Sequence, residues 1–407
     1  MTSKADELAQ AQALQIADFD YLLPENRIAQ QPVLPREKAR LLSFQHNQLA
    51  DHTFAELPDL LPENSALVLN DTKVVHARLH LQRATGGCFE ALLLHPVSPS
   101  SYQASLQNTS KCTWVCLLGH AHRWKSDPAH PTNDHQGTFT ALRLPGHFGL
   151  NTQVEFSWTS GLPFSEELTR WGAMPIPPYL KREAKQEDAC WYQTIYAQHD
   201  GSVAAPTAGL HLSEDMLRRI QNKHQLLHCT LHVGAGTFLP VKANTMADHH
   251  MHRERIVISK ALLEGLLHCQ GPTIAVGTTS LRLLESIYCL GCQVEHQQTN
   301  ATMPLIAQWE GFAEHCDLNR TQAINALLQR MRNESSSILE AETELIITPP
   351  YTPKMAQGLI TNFHQPKSTL LLLVASCIGN KWQQLYQHAL QANYRFLSYG
   401  DGMLLLF

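Results

Sequence analysis

Four stretches of the chain set small polar side chains between a strand-like run and the start of a helix. The first is Gly201–Leu217, GSVAAPTAGLHLSEDML. Pro206 fixes one backbone angle, and Gly209 opens conformations closed to other residues. Ser213 is placed to cap a helix whose first turn carries Glu214 and Asp215. Between them stand Thr207 and His211, polar groups that such a loop would hold at fixed angles. The second stretch, VGAGTFLPVK from Val233 to Lys242, contains Gly234, Gly236 and Thr237. The third runs from a strand, TIAVG, through Gly277, Thr278, Thr279 and Ser280 into a helix with Leu281, Leu284 and Ile287 at near-helical spacing. The fourth is LITNFHQPKSTLLLLVAS, Leu359–Ser376. Its strand ends at Thr361, and Ser368 caps an almost wholly apolar helix that must be buried on most sides. A strand end, a Gly/Thr/Ser loop and a helix start aim backbone N–H groups and a positive helix end at one spot. That suits a carboxylate, a phosphate or a developing oxyanion. In a layered α/β sheet such loops gather at the carboxyl ends of the strands. The four are therefore expected to converge on one cleft.

Familiar alternatives do not fit these residues. Val233–Thr237 is not G-x-G-x-x-G, because Leu239 stands where the third glycine belongs, and Gly277-Thr278-Thr279 lacks the Gly-Lys-Ser/Thr of a P-loop. His249, His250 and His252 form a cluster on which a metal-dependent hydrolase could be built, but no H-E-x-x-H pattern accompanies them. Cys289 and Cys292 make a single C-x-x-C with no second such pair, so the ten cysteines are read as reduced and mostly buried.

The elements that would position these loops follow from the pattern along 407 residues, enough for two domains or three. A hydrophobic fraction of 43% fits a globular protein with a substantial core. The longest apolar run, Leu370–Ala375, is far too short to cross a bilayer, and the polar N-terminus has no signal-peptide core. A cytoplasmic location and no membrane partner are expected. The net charge of -5 excludes a strongly basic nucleic-acid binder but leaves room for a local cationic patch. Residues 1–17 read as a mobile tail. From about residue 72 to 158, short alternating runs (LHLQRA, CFEALLLHP, KCTWVCLLG, GTFTALRLP, QVEFSW) separated by Gly, Pro, Ser and Asp read as a small antiparallel barrel. Within it the polar stretch His120–Gly137 should be an exposed loop. The second half alternates strands with helices, which implies a layered α/β domain with some parallel strands.

The longer motifs carry a resemblance. FDYLLPENRIAQQP, LVLNDTKVVHARL, GSVAAPTAGLHL, LHVGAGTFLPVK, HHMH, AVGTTSLRLLES, LITNFHQPKSTLLLLVAS and YRFLSYGDGMLL occur in that order from about residue 18 to 407. Together they resemble the S-adenosylmethionine:tRNA ribosyltransferase-isomerases of queuosine biosynthesis. Departures are small, among them Lys73 and His76 where the family more often has Arg and Pro. The resemblance implies an α/β domain with a mixed sheet (residues 18–71 and 159–407), interrupted by an inserted small antiparallel β-barrel (72–158).

It also implies transfer and isomerisation of the ribosyl moiety of S-adenosylmethionine, the co-substrate, with no prosthetic group and no metal. The acceptor would be 7-aminomethyl-7-deazaguanine at the wobble position of a tRNA with a GUN-type anticodon, and the enzyme a monomer. That chemistry needs a neutral amine, a base for the C–H beside the sulfonium, and help for departing adenine. On this reading His211, His364 and Asp401 are candidates for proton transfer. Thr207, Gly234, Gly236, Thr237, Thr278, Thr279 and Ser280 are candidates for holding the co-substrate. Tyr179, Phe363 and Tyr399 are candidates for stacking on a base, and Lys38, Arg40, Lys181, Arg182 and Lys367 for RNA phosphate. A catalytically silent tRNA-binding module is the further alternative.

Overall fold

The computed structural model describes residues 3–119, 124, 127–134, 136–145, 151–234 and 241–407. Among the described residues, ten strands form one mixed sheet. Its order is Leu305–Ile306, Ile338–Thr343, Glu254–Ser259, Gln225–His232, Ala66–Asn70, Thr273–Val276, Gly358–Asn362, Gly402–Leu406, Arg40–Gln45, Gln48–Thr53. The four consecutive strands Gln225–His232, Ala66–Asn70, Thr273–Val276 and Gly358–Asn362 run parallel. Ala66–Asn70, Thr273–Val276 and Gly358–Asn362 are buried along their whole length, as unbroken apolar runs covered on both faces should be. Their register pairs Val276 with both Leu69 and Ile360. Their carboxyl ends therefore lie level along one edge.

Helices cover the faces. Thr278–Glu295 is buried on most sides. It meets Arg320–Asn333 so closely that a Cβ at Gly291 would lie 2.4 Å from the Ala323 carbonyl oxygen, so only glycine fits there. Ser213 and Ser368 cap their helices as the sequence implies, accepting from the Met216 and Leu371 N–H groups at 3.3 Å. The capped helix Thr369–Ile378 is largely buried.

The second sheet closes on itself. Arg78–Arg83, Cys88–Ser98, Lys111–Gly119, Asn151–Trp158, Phe139–Arg143 and Ala129–Pro131 follow one another, and Ala129–Pro131 returns to Arg78–Arg83. This is the expected small antiparallel barrel, with a core of its own around Trp114, Phe139 and Phe156. Its packing continues past residue 158. Phe164, on the helix Phe164–Trp171, stacks on Trp158 at 5.1 Å, and Gly172–Ala173 pairs with the first barrel strand.

Two expectations need correction. Of the expected mobile tail 1–17, the described residues 3–17 are docked instead, with Lys4–Ala13 a helix that has a Ser3–Asp6 capping box. Its docking rests on buried Ala11 and on backbone bonds from Ile16 to Asn244 and from Met246 to Leu14. Within the polar stretch His120–Gly137, the described residues 124, 127–134, 136 and 137 are also not simply an exposed loop. Trp124 is fully buried against Phe89, and Ala129–Pro131 is the strand that closes the barrel. Among the described residues no helix is long and apolar enough to cross a membrane.

Candidate active site

The carboxyl edge of the parallel strands opens into a cleft with about 720 Å³ of unfilled space, its open mouth included. Thr207, Thr278, Thr279, His364 and Tyr179 line it, together with Asn362 and Ser368. The sheet register explains the convergence. Val276 and Asn362 end adjacent parallel strands, and the 3-10 turn Thr207–His211 packs across them. Gly277 joins strand to helix at φ +95, a conformation that disfavours any side chain. Being glycine, it supplies no side-chain cap to Thr278–Glu295. Among the described residues the first N–H groups of that helix are thus left to a ligand or solvent. The Thr279 hydroxyl is buried and makes no hydrogen bond among the described residues.

Two histidines reach the cleft region in the neutral state. His364 lines the cleft, and its Nε2 lies 2.8 Å from Thr361 Oγ1. Burial pushes its pKa down to about 3. Its backbone is fixed by Tyr386, whose hydroxyl accepts from the His364 N–H at 3.0 Å, and by Tyr21, which donates to the His364 carbonyl. His211 lies behind the cleft wall, stacked on Phe54 at 4.0 Å. Its Nε2 accepts from Asn362 Nδ2 at 3.2 Å. Burial first, then the positive Arg395 and Arg36, hold its pKa at about 3. Asn362 also donates toward the Leu397 and Asp401 carbonyls. Its Oδ1 is buried without a partner among the described residues, an acceptor available to a ligand N–H.

A second cavity adjoins the first across Thr278, Thr279 and Leu370. Lys242, His249, His252, Glu254 and Arg282 line it. Arg282 Nη1 meets the buried Glu254 carboxylate at 2.5 Å, and Glu254 also accepts from the Gly234 N–H at 3.1 Å. Gly234 thus supports this region through its backbone. Gly236 and Thr237 lie outside the described residues. His249, His250 and His252 do not bring three ligand atoms together, since among the described residues such a grouping occurs elsewhere. A hydrolase metal centre on them has no geometric basis.

A family model described as queuosine biosynthesis protein matches residues 16–405. The chain belongs to that family. It is 35% identical to the S-adenosylmethionine:tRNA ribosyltransferase-isomerase of Azoarcus sp. strain BH72 over 408 residues, covering 96% of this chain and 97% of that one. It is 37% identical to the enzyme of that name from Caulobacter sp. strain K31 over 410 residues, with 96% of each chain covered. A crystal structure of an S-adenosylmethionine tRNA ribosyltransferase from Thermotoga maritima aligns with 96% of this chain and 100% of its own, at 23% identity and a TM-score of 0.46.

Several residues singled out in this family member for their chemistry hold the fold together instead. Ser280 is fully buried and donates to the Val276 carbonyl at 2.8 Å, away from the cleft. Asp401 accepts from the Arg40 and Arg395 N–H groups at 3.0 and 2.8 Å, which staples two chain segments. Phe363 lines the cleft, but its ring is fully buried and packs against Phe396, Tyr394 and Tyr386. Tyr399 is buried with its hydroxyl on Asp188. Arg40 is engaged by Asp51, the Ala392 carbonyl and the Tyr394 ring. Lys181 and Lys367 pair with Glu25 and Asp20 but remain at the surface, and Lys38 is exposed. Tyr179 lines the cleft with its hydroxyl on Ser398, and burial pushes its pKa up to about 12.

Arg182 is the clearest correction. Its guanidinium grips the Asp188 carboxylate with two bonds, 2.6 and 2.9 Å, and Asp188 is fully buried. Removing the cation leaves a buried carboxylate without its counter-charge. Arg182→Met is expected to lower unfolding free energy by about 3–5 kcal/mol, read by urea denaturation. Adding Asp188→Asn should restore part of the loss. An unchanged midpoint in the single variant would show that the pair is solvated.

Proposed function

We propose that this chain transfers the ribosyl moiety of S-adenosylmethionine to the aminomethyl group of 7-aminomethyl-7-deazaguanine in tRNA and isomerises it. The products are epoxyqueuosine-tRNA, adenine and methionine. One observation carries the reading. In a member of the queuosine biosynthesis family, Thr207, Thr278, Thr279 and His364 gather in one cleft at the carboxyl edge of the parallel strands. The methionyl carboxylate sits at the uncapped start of Thr278–Glu295, where N–H groups and the helix dipole favour an anion. The Thr279 hydroxyl binds the same end of the co-substrate. The orphaned Asn362 Oδ1 accepts from an amino group of substrate. His364, neutral at physiological pH, takes the proton from the carbon beside the sulfonium, and a bound carboxylate nearby raises its basicity. Tyr179 stacks on a base, and Lys38 and Lys181 contact RNA phosphate. The enzyme acts as a monomer on tRNAs with a GUN-type anticodon.

Incubation with S-adenosylmethionine and tRNA carrying the aminomethyl base, followed by nucleoside mass analysis and an adenine assay, tests the activity. A heavier nucleoside with equimolar adenine is expected. Intact nucleoside and no adenine, from folded protein, would leave a scaffold that binds tRNA without this chemistry. Thr279→Val tests the site. Its hydroxyl has no partner to lose among the described residues, so Tm should hold while S-adenosylmethionine binding weakens about tenfold by calorimetry. Unchanged affinity would move the methionyl end elsewhere in the cleft.

A further inference from the structure

The cavity that adjoins the cleft joins aliphatic walls to a buried ion pair. It holds about 1100 Å³ of unfilled space, its open mouth included. Leu345, Ile346 and Ile347 line it from the segment after the strand Ile338–Thr343. Leu370 and Leu373 line it from the helix Thr369–Ile378, three residues apart on one face. Within this apolar space the fold fixes Arg282 and Glu254. Arg282 Nη1 donates to Glu254 Oε2 at 2.5 Å, and Nη2 donates to the His252 and Thr343 carbonyls at 3.1 Å each. The Gly234 N–H binds the other Glu254 oxygen at 3.1 Å. The side chains are 4% exposed for Glu254 and 12% for Arg282. Arg282 Nε is buried and makes no hydrogen bond among the described residues, and a buried donor left unused is costly. Lys242 also lines the cavity and is exposed, which sets a positive charge at its mouth.

We propose that this cavity receives the acceptor base, 7-aminomethyl-7-deazaguanine, with its Watson–Crick edge on the ion pair: Glu254 accepts from N1–H and the 2-amino group, Arg282 donates to O6, and Lys242 meets the adjoining phosphate. The placement deepens the transferase reading above and rests on it. A base taken out of its stack is read by edge hydrogen bonds and held between side chains, and aliphatic walls suit its two faces. The edge chemistry selects among bases. A guanidinium beside a carboxylate offers a donor next to an acceptor. A guanine-type edge offers the complement, an acceptor next to two donors. Adenine would set the lone pair of N1 against the carboxylate. The aminomethyl group is on the five-membered ring, away from the paired edge. That leaves it for the wall of Thr278 and Thr279, which the cavity shares with the cleft. The cleft is then left to the co-substrate, and the two reactants meet across that wall.

Anticodon stem–loop RNAs carrying either the aminomethyl base or its analogue without the 2-amino group test this, by fluorescence anisotropy in the absence of S-adenosylmethionine. Wild type is expected to bind the 2-amino form about tenfold more tightly, as one hydrogen bond to a buried charge allows. Glu254→Gln should lose that preference while calorimetry shows unchanged S-adenosylmethionine affinity. A Glu254 that merely supports the fold would weaken both RNAs alike and keep their ratio, which overturns the proposal. Lys242 is exposed, so Lys242→Gln reports even if Glu254→Gln fails to fold. Both RNAs should then bind several-fold more weakly, with a shallower salt dependence and the ratio intact. Unchanged affinity of Lys242→Gln for both RNAs counts against the placement. A wild type that releases adenine yet binds the two RNAs equally overturns it and leaves the transferase reading standing. A wild type that discriminates between the RNAs but releases no adenine keeps the base site and removes the transferase reading. Glu254→Gln that weakens S-adenosylmethionine and keeps the ratio gives the cavity to the co-substrate and overturns the proposal.

Discussion

His364→Gln is expected to lower turnover by about 10²- to 10⁴-fold, the range typical of removing a positioned proton-transfer group, while S-adenosylmethionine affinity changes little. His364 lines the cleft, its Nε2 is engaged by Thr361, and Tyr21 and Tyr386 fix its backbone. Nδ1 makes no hydrogen bond among the described residues, so one ring nitrogen remains for substrate. Glutamine keeps a polar group near Thr361 but cannot accept a proton at neutral pH. The loss should therefore fall on kcat and spare co-substrate binding. His211→Gln provides the contrast. Its ring reaches the cleft only through Asn362, so its replacement should alter both affinity and rate by a smaller factor through displacement of that amide. Single-turnover adenine release measures both variants. If His364→Gln retains full turnover, the proton goes to another group, and the Asn362 environment becomes the next place to look.

How much of this was legible before the structure depends on the range over which each signal acts. Thr278, Thr279, Thr207 and His364 line one cleft, and their convergence is legible because strand, polar turn and helix start form a local pattern that parallel strands bring to one edge. Asp401, Arg182, Phe363 and Ser280 have the same suggestive chemistry, but their partners lie elsewhere. Asp188, the Arg40 backbone and the Phe396 cluster decide whether a polar or aromatic group is free, and spacing alone cannot reveal them. Asn362 shows the reverse case, since its amide nitrogen is engaged by Leu397, Asp401 and His211 only once the chain is folded, leaving its oxygen without a partner among the described residues. The N-terminal helix was readable in part. Ser3 and Asp6 form a capping box that the sequence displays, but a mostly polar helix held by Ala11 and by backbone bonds gives little hydrophobic periodicity. The barrel's closing strand, Ala129–Pro131, is three residues long, too short for alternation to register.

Acidification is expected to destabilise this protein well above the carboxylate range, because three buried histidines must stay neutral in the fold. His211, His232 and His364 are each held near a pKa of about 3, against 6.5 for the free side chain, with burial the leading cause. For His232, positive Arg255 adds to that cause. The sign follows from proton counting. Above pH 6.5 both folded and unfolded chains carry neutral imidazoles, and the groups contribute nothing to the pH dependence. As pH falls from 6.5 toward 3, the unfolded chain binds protons that the folded chain refuses, so stability is lost over that window. Each histidine contributes a slope of about 1.4 kcal/mol per pH unit. At pH 5.5 the three together cost roughly 4 kcal/mol, a large part of the 5–15 kcal/mol typical of folded proteins. Buried Asp71 and Glu285 act in the opposite sense, since burial raises their pKa values. The decisive quantity is therefore a difference between proteins. Urea denaturation at pH 7.5 and 5.5 should show a smaller loss for His232→Gln than for the wild type, by about 1.4 kcal/mol. His232 stacks on Tyr102 and meets Thr72 Oγ1 at 3.1 Å, so the variant should start less stable at pH 7.5, which the difference removes. Equal losses in both proteins would mean that His232 already takes up its proton in the folded state.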